Sequence, residues 1–411
     1  MIQIKKENSK KIWCFCAVFF LTLFNYNTLI SQTIVSPKIS AYLVFAFCII
    51  GLVANKRIIV QENLLFVSAI LIGLVLISML VNLDFGNLNG YLIIVMKILG
   101  TLLILHTYEK KLFFASFTQV STVVAIASLI INYVFPIFSL ERFLPVVTNR
   151  LGIQFYFGIL SFKIKTYGSF GLRNYGLFSE PAVFCFFLFI GVLFAFNKEE
   201  LLPKDILSIA IMALTMITTF SPAGLFSAVV IYFILLYIVF FNNHKSASKV
   251  GVLLVGAICV SMFLFYSGFK DGINVILSKA DISNGSGAGR LQSIVNNLLQ
   301  GLKSPIFGGG LAAIVEQANQ LGFNTSTTGA SLLGFGLPFM VFVICLQIIS
   351  IYSVLPPKRV LLFICMLILF FLQINNHGLI QSDWFWIVTL LGVGGVESCE
   401  SFDSDLQFGD A

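Results

Sequence analysis

The sequence predicts an all-α polytopic membrane protein, with about 12 transmembrane helices and two long outer-face loops. Three observations lead there. Of the 411 residues, 58% are hydrophobic and only 10% are charged, whereas a soluble domain averages about 45–50% apolar and about 25% charged. That much apolar chain is enough for roughly a dozen spans of about 20 residues each. Phe contributes 44 residues against 3 Trp and 12 Tyr, a bias that suits rings facing lipid. A water-soluble enzyme, a disordered or fibrous chain and a disulfide-stapled secreted domain are all excluded.

Apolar runs set off by polar punctuation place spans at 12–30, 39–54, 64–81, 90–105, 113–135, 180–196, 206–220, 223–241, 250–267, 328–352, 360–374 and 383–396. The runs 206–220 and 223–241 meet at Ser221-Pro222, which reads as a tight hairpin. Lys5, Lys6, Lys10 and Lys11 precede the first run in the manner of a secretory signal. That run is long and ends without a small-x-small cleavage site, so it reads as a retained first helix. The chain is thus one integral membrane unit over 1–411, its bundle covering 12–396.

Orientation follows from the basic residues. With the N-terminus inside, the inner connections carry Lys56-Arg57, Lys110-Lys111, Lys198 with Lys204, Lys245 with Lys249, and Lys358-Arg359. This is the positive-inside bias of short loops, and it puts both termini in the cytoplasm. The acidic segment 397–411 then reads as a disordered cytoplasmic tail. A net charge of +7 could suggest nucleic acid as partner, but the dispersed cations report topology instead. The 8 cysteines form no C-x-x-C and no zinc spacing with His, and read as small buried hydrophobes.

Two outer segments, 136–179 and 268–327, are far longer than a helix connection requires, and long ordered loops on a helical scaffold usually carry function. The first holds Arg142, Arg150, Lys163, Lys165 and Arg173 against Glu141; the second holds Lys270, Lys279, Arg290 and Lys303 against Asp271, Asp281 and Glu316. Cations on the face where orientation does not need them suit a phosphate or pyrophosphate, or else anionic lipid headgroups. The first loop is aromatic at Phe155-Tyr156-Phe157 and Phe162, so it is expected to dip into the interface or pack on the bundle. In the second, Leu291, Ile294, Val295, Leu298, Leu299 and Leu302 give 289–302 one apolar helical face, with Arg290 in its first turn.

The most informative segment is Arg173-Asn174-Tyr175-Gly176-Leu177-Phe178-Ser179-Glu180-Pro181. Ser179 or Glu180 can cap the following helix and Pro181 suits its first turn; that reading needs no catalysis, but it leaves Arg173 unexplained. Glu180 beside an arginine at the edge of a span can serve as a base or orient the guanidinium. Gly308-Gly309-Gly310 reads as a turn or as an anion-binding nest built with Gly308 and Gly310. Lys97, within the fourth span, is either functional or snorkels to the interface. His377 and Asp383 fall in a short outer loop beside Trp384 and Trp386, which read as an interfacial belt, and His377 is a candidate base. His106 and His244 fall at inner ends as solvated loop residues. No H-E-x-x-H, acidic metal pair, Ser-His-Asp set or nucleotide fingerprint appears, so neither an ATP-driven nor a metal-dependent mechanism is supported.

Over about residues 110–345 the order of features resembles the bacterial O-antigen polymerase and O-antigen ligase superfamily. The likeness rests on an outer Arg-x-x-Gly-x-x-x-Glu-Pro segment (Arg173, Gly176, Glu180, Pro181). It rests also on a second loop in which an Arg-led helix precedes Pro-x-x-Gly-x-Gly (Arg290, Pro305, Gly308, Gly310). The resemblance implies inverting glycosyl transfer at the outer face of the inner membrane, from a polyprenyl-pyrophosphate-linked oligosaccharide, with no metal, sugar nucleotide or other cofactor. Arg173 and Arg290 would hold the pyrophosphate, and Glu180 or His377 would take the acceptor proton. Arg142, Arg150, Lys163, Lys165, Lys303, Gly308 and Gly310 would line the substrate path. Membrane lipids, a chain-length regulator and a repeat-unit flippase are the partners expected, and no nucleic acid. The ligase branch carries a His-Asn pair where this chain has Phe323-Asn324, which favours a polymerase over a ligase. A twelve-span flippase or secondary transporter is the reading from another class, although no internal repeat supports it.

Overall fold

Helices form wherever the apolar runs predict them, among the residues that the computed structural model describes: 2–55, 61–149, 152–158, 160–165, 173–238, 286–321, 326–357 and 359–393. The expected span 250–267, the start of the second loop, the tail, Arg150, His244, Cys259 and Cys399 lie outside those residues. In chain order the helices are α1 (Ile2–Leu23), α2 (Leu29–Thr33), α3 (Pro37–Asn55), α4 (Glu62–Val81), α5 (Leu88–Thr107), α6 (Lys110–Leu129), α7 (Pro181–Ala195), α8 (Pro203–Thr218), α9 (Pro222–Tyr237), α10 (Ser286–Gly301), α11 (Gly310–Leu321), α12 (Thr327–Val354), α13 (Val360–Ile374) and α14 (Asp383–Leu390). Five among the described residues are long and apolar enough to cross a membrane: Pro37–Ala54, Glu62–Val81, Phe85–Thr107, Lys110–Ile137 and Thr327–Val354. Shorter apolar helices accompany them at Pro181–Ala195, Pro222–Tyr237 and Val360–Ile374. The chain is a helical membrane protein.

The short α7 is the axis of the bundle. All 15 of its residues are buried, so protein rather than lipid covers it. Phe rings do much of the covering: Phe117 on Phe187 at 5.2 Å, Phe114 on Phe194 at 4.5 Å and Phe186 on Phe370 at 6.1 Å between centroids. Such aromatic pairs contribute beyond their buried area. Gly191 lets α6 and α8 approach, since a Cβ there would lie 2.7 Å from Ser121 and 2.8 Å from Met212.

Several sequence readings change. The first helix ends at Leu23 instead of continuing to 30, because Asn25 and Thr28 are buried and redirect the chain. Thr28 Oγ1 donates to Leu23 O and accepts from the Ser31 amide as the N-cap of α2. The first outer loop is not wholly irregular, and the chain is therefore not purely α. Val146–Thr148, Gln154–Gly158 and Ser161–Ile164 form an antiparallel three-stranded sheet, β1-β2-β3. Phe155, Phe162 and Ile164 are buried on one face, while Tyr156 opposite Lys163 lies on the other. Trp384 and Trp386 are not an interfacial belt: both are buried at 1% or less, with Trp384 packed edge-on to Phe117 at 4.7 Å. Lys97 does not snorkel; it is buried and meets Asp383 at 2.7 Å, which places Asp383 inside the bundle and not in a loop. His106 is likewise buried, its Nε2 accepting from the Gln61 amide at 3.2 Å. Of the described cysteines, Cys14, Cys48 and Cys185 are buried, whereas Cys16 and Cys345 are exposed.

The span expected at 328–352 is broken. Gly336 in α12 has φ 88° and ψ 174°, and Pro338 follows, a residue that can donate no helical bond to Gly334 O. Ser78 Oγ supplies that bond at 2.8 Å. The neighbouring pair is exchanged with the segment before α11: Gly309 N–H donates to Leu333 O at 2.7 Å and Leu337 N–H to Pro305 O at 2.6 Å. Only glycine tolerates this crossing. A Cβ on Gly308 (φ 67°) would lie 2.4 Å from Gly334 backbone, and one on Gly336 would lie 2.2 Å from Ile306 O. Gly308→Ala and Gly336→Ala are each expected to destabilise the protein by about 2–4 kcal/mol, combining left-handed backbone strain with overpacking. Gly73→Ala, at a helical site with no atom within 4 Å, should instead gain up to about 1 kcal/mol. Thermal unfolding in detergent checks the contrast.

Candidate functional site

Glu180 and His377 come together at one end of the bundle, Arg173 lies in the same segment as Glu180, and buried amides hold these segments there. The segment 173–180 enters α7 without being helical, so its polar groups need partners in place of water. Asn174, fully buried, anchors the segment through its side chain. Its Nδ2 donates to Ser128 Oγ at 3.0 Å and Thr218 Oγ1 at 3.1 Å, and its Oδ1 accepts from Asn132 Nδ2 at 3.2 Å and the Gly176 amide at 3.0 Å. The other edge of the segment is tied to the chain after α1: Leu29 N–H donates to Leu177 O at 2.8 Å, and Ser179 Oγ donates to Asn27 O at 3.1 Å. Gly176 has φ 54°, and a Cβ there would lie 2.6 Å from the Phe184 ring. The glycine of the motif is thus a requirement of close packing.

Arg173 is 7% exposed. Its Nε donates to Thr219 O at 3.1 Å, and its guanidinium also hydrogen-bonds the Tyr175 side chain. Burial pushes the Tyr175 phenol above its ordinary value; the guanidinium opposes that shift and the charge of Glu180 adds to it. One hydroxyl therefore feels both charged residues of the motif.

Glu180 occupies the N-cap of α7 with extended backbone, yet its side chain caps no amide. Its Oε2 lies 3.1 Å from His377 Nδ1 instead, with the two side chains 52% and 20% exposed. A carboxylate only accepts, so in neutral His377 the Nδ1 carries the proton and Nε2 the lone pair. Carboxylate-oriented imidazole of this kind suits general-base work.

His377 arrives on segment 375–382, which several elements hold. Ser326 Oγ donates to Asn375 Oδ1 at 2.9 Å, Thr327 Oγ1 donates to His377 O at 2.6 Å and accepts from the Leu379 amide at 2.8 Å, and Asn376 Nδ2 donates to Ser221 Oγ at 3.1 Å. Ser221 belongs to the tight α8–α9 turn expected from Ser221-Pro222, where Phe220 has φ 45°. The start of α12 and that turn thus meet the dyad from two sides.

The other candidates are dispersed. Arg290 lies in α10, the amphipathic helix expected at 289–302. That helix runs parallel to the start of α12, with Asn297 beside Gly329 and Gly301 beside Leu332. The backbone at Arg290 is two turns further on, past the α12 N-terminus that bonds Asn375 and His377. Arg142, Lys165 and Lys303 are exposed. Lys163 is half-buried in β3; burial pulls its ammonium below the usual lysine value, against the charge of Glu141. The glycine run around Gly308 and Gly310 already has internal partners. The Gly308 amide donates to Ser304 O and that of Gly309 to Leu333 O, while the Leu311 amide donates to Tyr91 Oη at 2.8 Å and the Ala312 amide to Asp84 Oδ2 at 2.9 Å. The anion at the α11 N-terminus is the protein's own Asp84 carboxylate, a placement that the helix dipole favours. Among the described residues no group of three or more His, Cys, Asp or Glu side chains is arranged to hold a metal ion.

Sequence reasoning passed over Asn174, Thr218, Thr219 and Asp84. The only signal for Asn174 was its place between Arg173 and Gly176, and for Asp84 a lone acid in the short connection after α4. No protein-family model and no curated protein matches this chain.

Asn174→Ala removes four buried hydrogen bonds at once and leaves the Gly176 amide without its acceptor. It is expected to cost about 1–3 kcal/mol and to make the 173–180 segment the earliest site of limited proteolysis. Thermal unfolding and peptide mapping in detergent check this.

Proposed function

We propose that this protein is an O-antigen or related surface-polysaccharide polymerase. It would join polyprenyl-pyrophosphate-linked repeat units at the periplasmic face of a bacterial inner membrane. In this reading the chain crosses the membrane about 12 times with both termini cytoplasmic, and the end bearing Arg173, Glu180 and His377 faces the periplasm. The observation that carries the reading is the 3.1 Å contact of Glu180 with His377, beside a buried arginine. It supplies a base and a cation at one partly open site, as the motif resemblance implies.

The acceptor hydroxyl gives its proton to His377 Nε2 as its oxygen attacks the anomeric carbon of the donor. The bond from that carbon to the pyrophosphate oxygen breaks, and the leaving polyprenyl pyrophosphate takes the electron pair. Glu180 holds the imidazole tautomer and stabilises the imidazolium that forms. Arg173, with Arg290 as the second cation that the motif resemblance implies, offsets the charge growing on the leaving group. A buried guanidinium fixed through Nε needs little reorganisation as that charge develops.

Deletion of the gene in the organism that encodes it is expected to reduce the ladder of long surface glycan to single repeat units. Arg173→Ala and His377→Ala should reproduce that loss with normal membrane insertion, each lowering polymer formation by about 10²–10⁴-fold. Electrophoresis of the surface glycan reads both. An unchanged ladder in the variants sinks the proposal; polymer left unattached to its lipid acceptor points to the ligase of the same superfamily, and loss of all surface glycan to a flippase.

A further inference from the structure

Lys97 lies midway along α5, and Asp383 opens α14. The two are 286 residues apart in the chain, yet meet at 2.7 Å with side chains 1% and 5% exposed. We propose that this ion pair is a positioning device for the Glu180–His377 dyad: it sets the depth at which segment 375–382 enters the bundle. The proposal rests on the reading of His377 as the base.

The argument is one of register. Segment 375–382 is not helical, so the path of His377 is set by what holds its two ends. At the near end, Asn375, Asn376 and Leu379 bond to Ser326, Ser221 and Thr327. At the far end the chain must start α14 at a defined depth. Asn25 Nδ2 donates to Ser382 Oγ at 3.4 Å and, two turns along, Gln347 and Ser350 bond Thr389, while the contacts of the first turn other than Asp383 are largely apolar. Trp384 lies on Phe117 at 4.7 Å and Phe187 at 5.9 Å, and Trp386 on Phe339 at 6.4 Å. Ring contacts of this kind change little when a helix slides along its neighbour. The ion pair behaves differently, because a slip of one turn would strand two opposite charges in an apolar interior. A buried ion pair is poor evidence for added stability, since well-packed apolar residues often do as well; what it specifies is one register. A lysine in mid-span is also costly enough to need a reason beyond packing. His377, just upstream of Asp383, is the residue that such a register places.

The test uses the double neutral variant Lys97→Met/Asp383→Asn, which leaves neither charge unpaired. Its position readout is a thiol cross-link between Glu180→Cys and His377→Cys, made with a short bis-thiol reagent in native membranes. Mass spectrometry of the linked 180–377 peptide separates it from the native cysteines. With Lys97 and Asp383 intact the cross-link should form readily, and in the neutral background its yield should fall severalfold. In the chain with native Glu180 and His377, the neutral pair should slow polymer formation by about ten- to hundredfold, as loss of orientation does. The charge-swapped pair Lys97→Asp/Asp383→Lys should recover both readouts. Unchanged cross-linking in an inserted neutral variant overturns the proposal, as does failure of both double variants to accumulate, which would make the pair a folding requirement. The cross-link needs no activity. If it depends on the pair while His377→Ala still polymerises, the functional reading fails and the positioning stands.

Discussion

The site depends on the four hydrogen bonds of one buried amide. Asn174 uses both donors and both acceptor lone pairs, on Ser128, Thr218, Asn132 and Gly176. A non-helical segment at the edge of a membrane bundle is tolerated only if its polar groups find partners without water. By doing so between α6 and the end of α8, Asn174 fixes the strip that carries Arg173 on one side and Glu180 on the other. The same requirement governs the chain after α1, where Thr28 and Asn27 pair with that strip.

Elsewhere the same constraint is met by exchange. The break in α12 costs helical bonds, and they are replaced one for one by Ser78 and by the backbone around Pro305 and Gly309. The α11 N-terminus takes an internal carboxylate from Asp84, itself held by Tyr91 and Asn87. Charge follows the same logic, since Lys97 is buried only in company with Asp383. Most polar irregularities of the bundle thus occur in pairs that meet across distant parts of the chain. The Glu180–His377 contact differs from these in being partly open to the outside.

Much of the architecture was legible in the sequence. Apolar runs gave the helices to within a few residues from α3 to α9, since a segment that must satisfy its backbone in lipid becomes a helix wherever it is apolar. The amphipathic face of 289–302 was legible because its 3.6-residue period is local, and so was the Ser221-Pro222 hairpin. Less legible was the sheet at 146–164: its period-2 alternation is spread over short strands and masked by aromatics on both faces. The broken α12 was missed because hydropathy does not register φ, although Gly336 and Pro338 both signal it.

Arg173, Glu180 and His377 could be singled out one at a time, because ionisable groups at the ends of apolar runs stand out by composition. Sequence also determined the membrane character of the chain and the bias of its charges, which depend on residue type and local order alone. Only the tertiary structure decided that Glu180 meets His377 rather than capping its own helix, that Lys97 joins Asp383 rather than the interface, and that Gly308 packs against the backbone of α12 at Gly334. Each of these choices depends on which helices become neighbours. Buried charges and amides take whichever partner that packing brings within about 3 Å, however far along the chain it lies.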